Sequence, residues 1–309
     1  MKTNFNVHFN ITLFDFLKSF FIYGNRYFSA FNRYRKSYKN YISVLKQVKN
    51  QHFPITAILK NGKQLVLQSG PEAAIYAYGS NNFQIHNDIL TIKNDSLSDV
   101  SLIGWKDNAD LYEIYFQNHY EKIPVNNKEV IDIGANICDS SIYFVLNGAT
   151  NVIAVELLPQ NCEIAQKNIT LNKLNDQIDI IMAGCSDEKG QTYFSSSKKG
   201  MGYAIDIADK DGIKVPLLTI DDLLKFSKNE SRILKLDCEG CEYDVILSSS
   251  KWTLRKFEYI FIEYHFGYLN LKKKLENCGF KVKKTCPSYY YHQILKKNSY
   301  IGYLYAIRC

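Results

Sequence analysis

The chain has 309 residues, 46% hydrophobic and 22% charged, an ordinary globular composition long enough for one large domain or two smaller ones. No apolar run reaches the roughly eighteen residues a spanning helix needs, and MKTNFNVHFNITLFDFLKSF lacks the build of a signal peptide. With only eight cysteines, the expectation is a cytoplasmic protein with reduced thiols.

The net charge of +7 is concentrated at one end. Residues 1–50 hold nine Lys and Arg and one acid, Asp15, which gives +8 and leaves −1 for the rest. In this segment Phe14, Leu17, Phe21, Phe28, Phe31, Ile42, Leu45 and Val48 recur at helical spacing, with Gly24-Asn25 expected to interrupt the first helix. A basic segment interleaved with aromatics suits peripheral contact with a membrane surface or an RNA, or is simply a solvated helix face.

Residues 51–108 read as a small β-rich unit. ITAILK and KQLVLQ flank Asn61-Gly62, the signature of a hairpin with a type I′ turn, and FQIHNDILTI and DVSLIGW give further short strands. From about residue 109 to 309, strands alternate with helices. The strands are 129–134, 151–156, 178–183, 232–237 and 258–264; the helices are 140–146, 159–172, 220–226 and 242–247. Apolar strands separated by helices predict an α/β, mostly parallel sheet covered on both faces. A terminal antiparallel hairpin is expected from 280–284 and 301–307, joined by a tyrosine-rich loop.

VIDIGANICDSSIYF has the form strand, tight turn, helix. Gly134 lets a ligand approach the backbone, and Asp139-Ser140-Ser141 is placed to cap the next helix. Glu156 ends the second strand, where an acid accepts hydrogen bonds from both hydroxyls of a ribose. Asn136 stands where a dinucleotide fingerprint needs its second glycine to make room for pyrophosphate. S-adenosylmethionine has no pyrophosphate, and Asp132 is near enough to the turn to offer a carboxylate to its cationic end.

From residue 109 onward the chain resembles the FkbM-type S-adenosylmethionine-dependent O-methyltransferases of the class I Rossmann-like fold. The resemblance is carried, in order, by VIDIGANICDSSIYF, VIAVELLPQNCEIAQKNITLN, AGCSDEKG, VPLLTIDDLL, ILKLDCEGCEYDVIL and FIEYH. It implies that Asp132, the turn Gly134-Ala135-Asn136 and Glu156 line the cofactor site, with Ala183 and Asp187 close to the adenine. It implies an acceptor hydroxyl on a sugar, a lipid-linked glycan or a polyketide. Where the family usually has glycine, this chain has Cys138.

Methyl transfer to an alcohol needs an aligned acceptor oxygen and help in removing its proton. Asp237 closes the fourth strand, Glu239 follows at a helix start and His265 follows the fifth strand. These three are the candidate catalytic residues, His265 as general base, while Glu242 and Asp244 read as first-turn helix acids. No Asp/Asn-Pro-Pro-aromatic segment occurs, which argues against methylation of nucleic-acid bases. No spacing demands a metal.

Cys238 and Cys241 form a C-x-x-C, but Asp237, Glu239 and Glu242 would raise a thiol pKa, against a reactive redox pair. Zinc would need two more ligands, and Cys278 and Cys286 lack paired spacing. The alternatives to the methyltransferase reading are an NAD-dependent oxidoreductase and a catalytically degenerate RNA- or lipid-binding member of the same fold.

Overall fold

The structure is a computed structural model that describes residues 10–79, 82–94, 98–194, 213–292 and 297–309. It forms two compact units: one takes the chain up to Tyr23, then Ile123–Gln166 and Asn175–Cys309; the other comprises Gly24–Lys122 and Lys167–Leu174. These boundaries differ from those expected at residues 50 and 108.

The larger unit is built on a twisted sheet. Its strands are β1 (Glu129–Ile133), β2 (Asn151–Glu156), β3 (Ile178–Met182), β4 (Arg232–Leu236), β5 (Tyr259–Tyr264), β6 (Phe280–Lys284) and β7 (Lys297–Arg308), in the order β6-β7-β5-β4-β1-β2-β3. Neighbours from β5 through β3 are parallel, whereas β7 runs antiparallel to both β5 and β6. The chain reverses direction across the sheet between β1 and β4, which opens a crevice at their carboxyl ends. This is the class I methyltransferase fold, with the expected terminal antiparallel hairpin.

The strands lie here because their apolar runs leave no polar face. β1 is buried along its whole length, and Ile131, Ile133, Ile153, Val155, Leu234, Leu236, Ile260 and Ile262 belong to one core cluster. Each such side chain contributes about 1.5–3 kcal/mol on full burial. The helices that position the site are α1 (Asp139–Leu146), α2 (Pro159–Leu171), α3 (Glu242–Ser248) and α4 (Leu269–Asn277). The tyrosine-rich connection contains a further strand, Ser288–His292, paired with β7. A small accessory sheet of Gly184–Cys185, Gly190–Phe194 and Ile213–Leu218 was not expected from the sequence.

The smaller unit has an antiparallel pair, Ile55–Ile58 with Gln64–Leu67, a three-stranded sheet, and a core of Tyr34, Tyr38, Val44, Ile55, Ala57, Leu67, Ala73 and Ala77. The hairpin at Asn61-Gly62 is present, but its turn is not type I′. Only Gly62 takes a positive φ, and the Asn61 side chain instead accepts from the Lys63 N–H. A helix, Gly70–Tyr78, was missed; its signal was Ser69, whose hydroxyl accepts from the Glu72 N–H, followed by proline in the first turn.

The N-terminal helix runs unbroken over Leu13–Ser37. Gly24 does not interrupt it, since an interior glycine costs about 1 kcal/mol and leaves the hydrogen-bond ladder intact. Phe14 and Phe21 are 70% and 78% exposed, and Leu17 and Phe28 are exposed as well, so the apolar stripe faces outward. Asp15, on another face, is buried: it accepts from the Tyr268 hydroxyl and pairs with Lys284 at 2.7 Å. Among the described residues no helix is long and apolar enough to cross a membrane. Residues 1–9 of the expected helical segment lie outside the described residues.

Candidate active site

The loop after β1 is shaped by close backbone approach. Gly134 has φ +79°, and a Cβ there would lie 1.7 Å from the Asp237 carbonyl oxygen, so the first turn and the end of β4 fit only because the side chain is hydrogen. The amides of Gly134 and Ala135 both donate to the Val155 carbonyl, and Ala135 is buried. Asn136 and Cys138 take left-handed φ values of 49° and 63°. Cys138 therefore occupies a conformation that favours glycine, the residue for which it stands in.

Glu156, at the end of β2, faces this loop. Its carboxylate accepts from the N–H of Asn136 at 2.9 Å and of Leu158 at 2.8 Å, while Asn161 bridges to the Asn136 side chain. Burial pushes the Glu156 carboxyl up to about 7, against the lowering effect of those amide donors. Ala183 is buried after β3 and donates its N–H to the Glu156 carbonyl, whereas Asp187 is exposed and accepts from Ser186.

Asp132 is placed differently from the expectation of a carboxylate presented to a ligand. It is fully buried and accepts from the hydroxyls of Ser140 and Ser141 at 2.6 and 2.7 Å. Lys235 lies opposite it in the β1–β4 register, with Nζ 2.9 Å from Oδ1. Hence Ser140 and Ser141 do not cap α1; the N-cap residue is Cys138, which makes no side-chain capping bond. The Lys235 ammonium also donates to the Gly134 carbonyl at 2.9 Å and lies 4.0 Å from Asp237. Burial opposes its charge, but Asp132 and Asp237 overcome this and raise its pKa. Sequence reasoning gave Lys235 no role, although a lysine flanked by apolar residues in a parallel strand was a signal that a buried anion faces it.

At the carboxyl ends of β4 and β5 the three candidate catalytic residues come together. His265 Nε2 is 3.3 Å from Glu239 Oε2 and 3.9 Å from Asp237 Oδ1. A fourth group completes the cluster: Glu242, fully buried at the start of α3, whose Oε1 is 3.1 Å from His265 Nδ1 and accepts the Cys238 N–H. Glu242 is thus more than the helix-start acid expected of it. Burial of the imidazole depresses its pKa, but the charges of Glu239 and Glu242 outweigh this and hold it well above the ordinary histidine value. Desolvation pushes the Glu239 carboxyl up to about 7, aided by Asp237 and Glu242 and opposed by His265. Glu239 has a positive φ of 57°, a left-handed conformation that aims its side chain back at the cluster.

The cysteines of the same loop are joined in a disulfide, Cys238–Cys241. This corrects the expectation of reduced thiols for that pair. Neighbouring acids govern thiolate reactivity, whereas close approach of the two side chains across one turn decides whether a bond can form. The loop after β5 is held from the other side. Asn10 accepts from the amides of Tyr268 and Leu269 through its carbonyl and donates its side chain to the Phe266 carbonyl.

Comparison with known proteins places this site in a family. Residues 132–282 match the family described as the methyltransferase FkbM domain. No curated protein matches the chain. Among solved structures, a methyltransferase FkbM from Methylobacillus flagellatus KT is 16% identical over 63% of this chain and 47% of its own length, with a TM-score of 0.43. The present chain thus spans about half of that protein. The METTL16 methyltransferase domain is 14% identical over 84% of this chain and 87% of its own, with a TM-score of 0.47. TrmK from M. capricolum, solved in complex with S-adenosyl-homocysteine, is 18% identical over 60% of this chain and 66% of its own, with a TM-score of 0.35. Residues 132–282, the stretch holding the turn at Gly134, Glu156 and the Asp237–His265 cluster, thus correspond to an FkbM methyltransferase domain.

Proposed function

We propose that the protein transfers a methyl group from S-adenosylmethionine to a hydroxyl of a sugar, glycan, lipid-linked or polyketide-like acceptor. The observation that carries this reading is one crevice with two chemically different ends. At the β1–β2 end, Glu156 and the Gly134–Asn136 turn suit a ribose, and Asn136 fills the space a pyrophosphate would require. At the β4–β5 end, Asp237 and Glu239 both come within ion-pair reach of His265. Ala183 and Asp187 lie toward the adenine side of the first end, while Asp132 and Lys235 act beneath it by holding the turn.

S-adenosylmethionine supplies a methyl group already activated on a sulfonium. The protein's part is to hold an acceptor oxygen in line with it and to take the proton that oxygen loses. The carboxylate–imidazole cluster offers the sites for that proton. As the C–O bond forms, the S–C bond breaks and S-adenosylhomocysteine departs as a neutral thioether.

The test is transfer of a labelled methyl group from S-adenosylmethionine to lysate fractions by wild type and by Glu156→Ala. Label in a carbohydrate or lipid fraction, absent with the variant, supports the reading. Label confined to nucleic acid or to protein contradicts it.

The exposed face of the first turns of the N-terminal helix, bearing Leu13, Phe14, Leu17 and Phe21 within a basic segment, supports peripheral contact with an anionic membrane. Full-length protein is then expected to sediment with anionic vesicles and Phe14→Glu/Phe21→Glu is not; equal sedimentation contradicts the contact.

A further inference from the structure

We propose that Asp237, Glu242 and His265 hold a divalent cation at the acceptor end of the crevice. The inference rests on the methyltransferase reading and gives that end a ligand of its own. One carboxylate oxygen from each acid and one ring nitrogen all lie within 4.8 Å of one another. Ligands at about 2.1–2.4 Å from a shared ion have this spread. Two carboxylates and an imidazole suit a first-row divalent ion such as Mn²⁺ or Fe²⁺ better than a soft metal.

A second observation points the same way independently of the spacing. Glu242 is 0% exposed, and while its Oε1 is engaged by His265 and the Cys238 N–H, its Oε2 has no hydrogen-bond partner. A buried carboxylate oxygen without a protein donor is costly, and a coordinated cation removes that cost. The charge count agrees. Asp237, Glu239 and Glu242 surround a single imidazole, while the Lys235 ammonium pairs with Asp132 at 2.9 Å and stands farther off, 4.0 Å, from Asp237.

The chain also fixes the ligands in advance. Asp237 immediately precedes Cys238 and Glu242 immediately follows Cys241, so the disulfide limits how far the two carboxylates can move apart. His265 is set by the end of β5, next to β4 in the sheet. A cation here would bind the acceptor oxygen, lower its pKa and fix its line of attack. The oxygen then forms its bond to the methyl carbon as the sulfonium carbon–sulfur bond breaks, and the proton passes to Glu239, which lies outside the ligand set.

The experiment is a titration of the purified, chelator-stripped chain with Mn²⁺, following loss of the free-ion electron paramagnetic resonance signal. Wild type is expected to bind one ion per chain, and Asp237→Asn and Glu242→Gln to bind at least about tenfold more weakly, since losing even a group that only supports a ligand costs about ten- to a hundredfold. Asp237 is partly exposed, so its variant carries the test if the buried Glu242 variant does not fold. An undiminished free Mn²⁺ signal with wild type, or variants that bind as well as wild type, overturns the proposal. S-adenosylhomocysteine binding by wild type is measured on the same samples. Its presence without Mn²⁺ binding overturns the cation site alone; its absence beside normal Mn²⁺ binding overturns the methyltransferase reading alone.

Discussion

Replacing Lys235 with methionine tests how the cofactor turn is held. The lysine side chain is 2% exposed, and its ammonium is 2.9 Å from both the Asp132 carboxylate and the Gly134 carbonyl. Methionine keeps most of the apolar stem but leaves Asp132 buried with only the hydroxyls of Ser140 and Ser141. Removing one partner of a buried pair costs about 3–5 kcal/mol, because the other charge stays behind without compensation. For a unit of this size that corresponds to a fall in Tm of roughly 6–20 °C. Urea unfolding followed by circular dichroism, on wild type, Lys235→Met, Asp132→Asn and the double variant, measures it. Asp132→Asn removes the orphaned charge, so the double variant should recover part of the loss, with a coupling of about 2 kcal/mol or more. A Lys235→Met loss below about 1 kcal/mol, or single effects that add to within about 0.5 kcal/mol, would show that the Asp132–Lys235 pair does not hold the turn.

Other outcomes follow from particular residues. Glu156 has its folded pKa raised from 4.5 to about 7, so the stability it contributes is fully present below pH 4.5 and is lost as pH rises through 7. Glu156→Gln should therefore remove about 2–3 kcal/mol of the loss between pH 4.5 and 8, from about 1.4 kcal/mol per pKa unit, while weakening cofactor binding. Unfolding curves at both pH values check this, and an unchanged pH dependence counts against it. Gly134→Ala sets a Cβ 1.7 Å from the Asp237 carbonyl oxygen and should lower S-adenosylhomocysteine affinity by about a hundredfold or more, since the turn must open by well over 1 Å. Affinity within threefold of wild type would mean the turn is not where the cofactor binds. Iodoacetamide followed by mass spectrometry should label the exposed Cys309 directly but Cys238 and Cys241 only after reduction; labelling of both without reductant would show that the bridge is absent.

The central sheet was legible because its strands carry several apolar residues each and alternate with helices, and β1, β2 and β4 begin where expected. The turn at Gly134 and the acid at Glu156 were legible because each answers a local geometric need at the end of a strand. What could not be read was the pairing across strands. Asp132 and Lys235 are about a hundred residues apart, and only the β1–β4 register shows that one neutralises the other. Glu242 looked like an ordinary helix-start acid because its partner, His265, arrives from the next strand. The Cys238–Cys241 bond depends on the geometry of the turn, which the surrounding charges do not reveal. The helix Gly70–Tyr78 was missed because its capping residue lies within a segment dominated by strand signals.

The most direct test of the central claim is calorimetric titration of the wild-type chain and of Glu156→Ala with S-adenosylhomocysteine and, separately, with NADH. Wild type is expected to bind S-adenosylhomocysteine and not NADH, and Glu156→Ala to lose most of that affinity. Binding of NADH alone would contradict this and return the sheet to the dinucleotide reading.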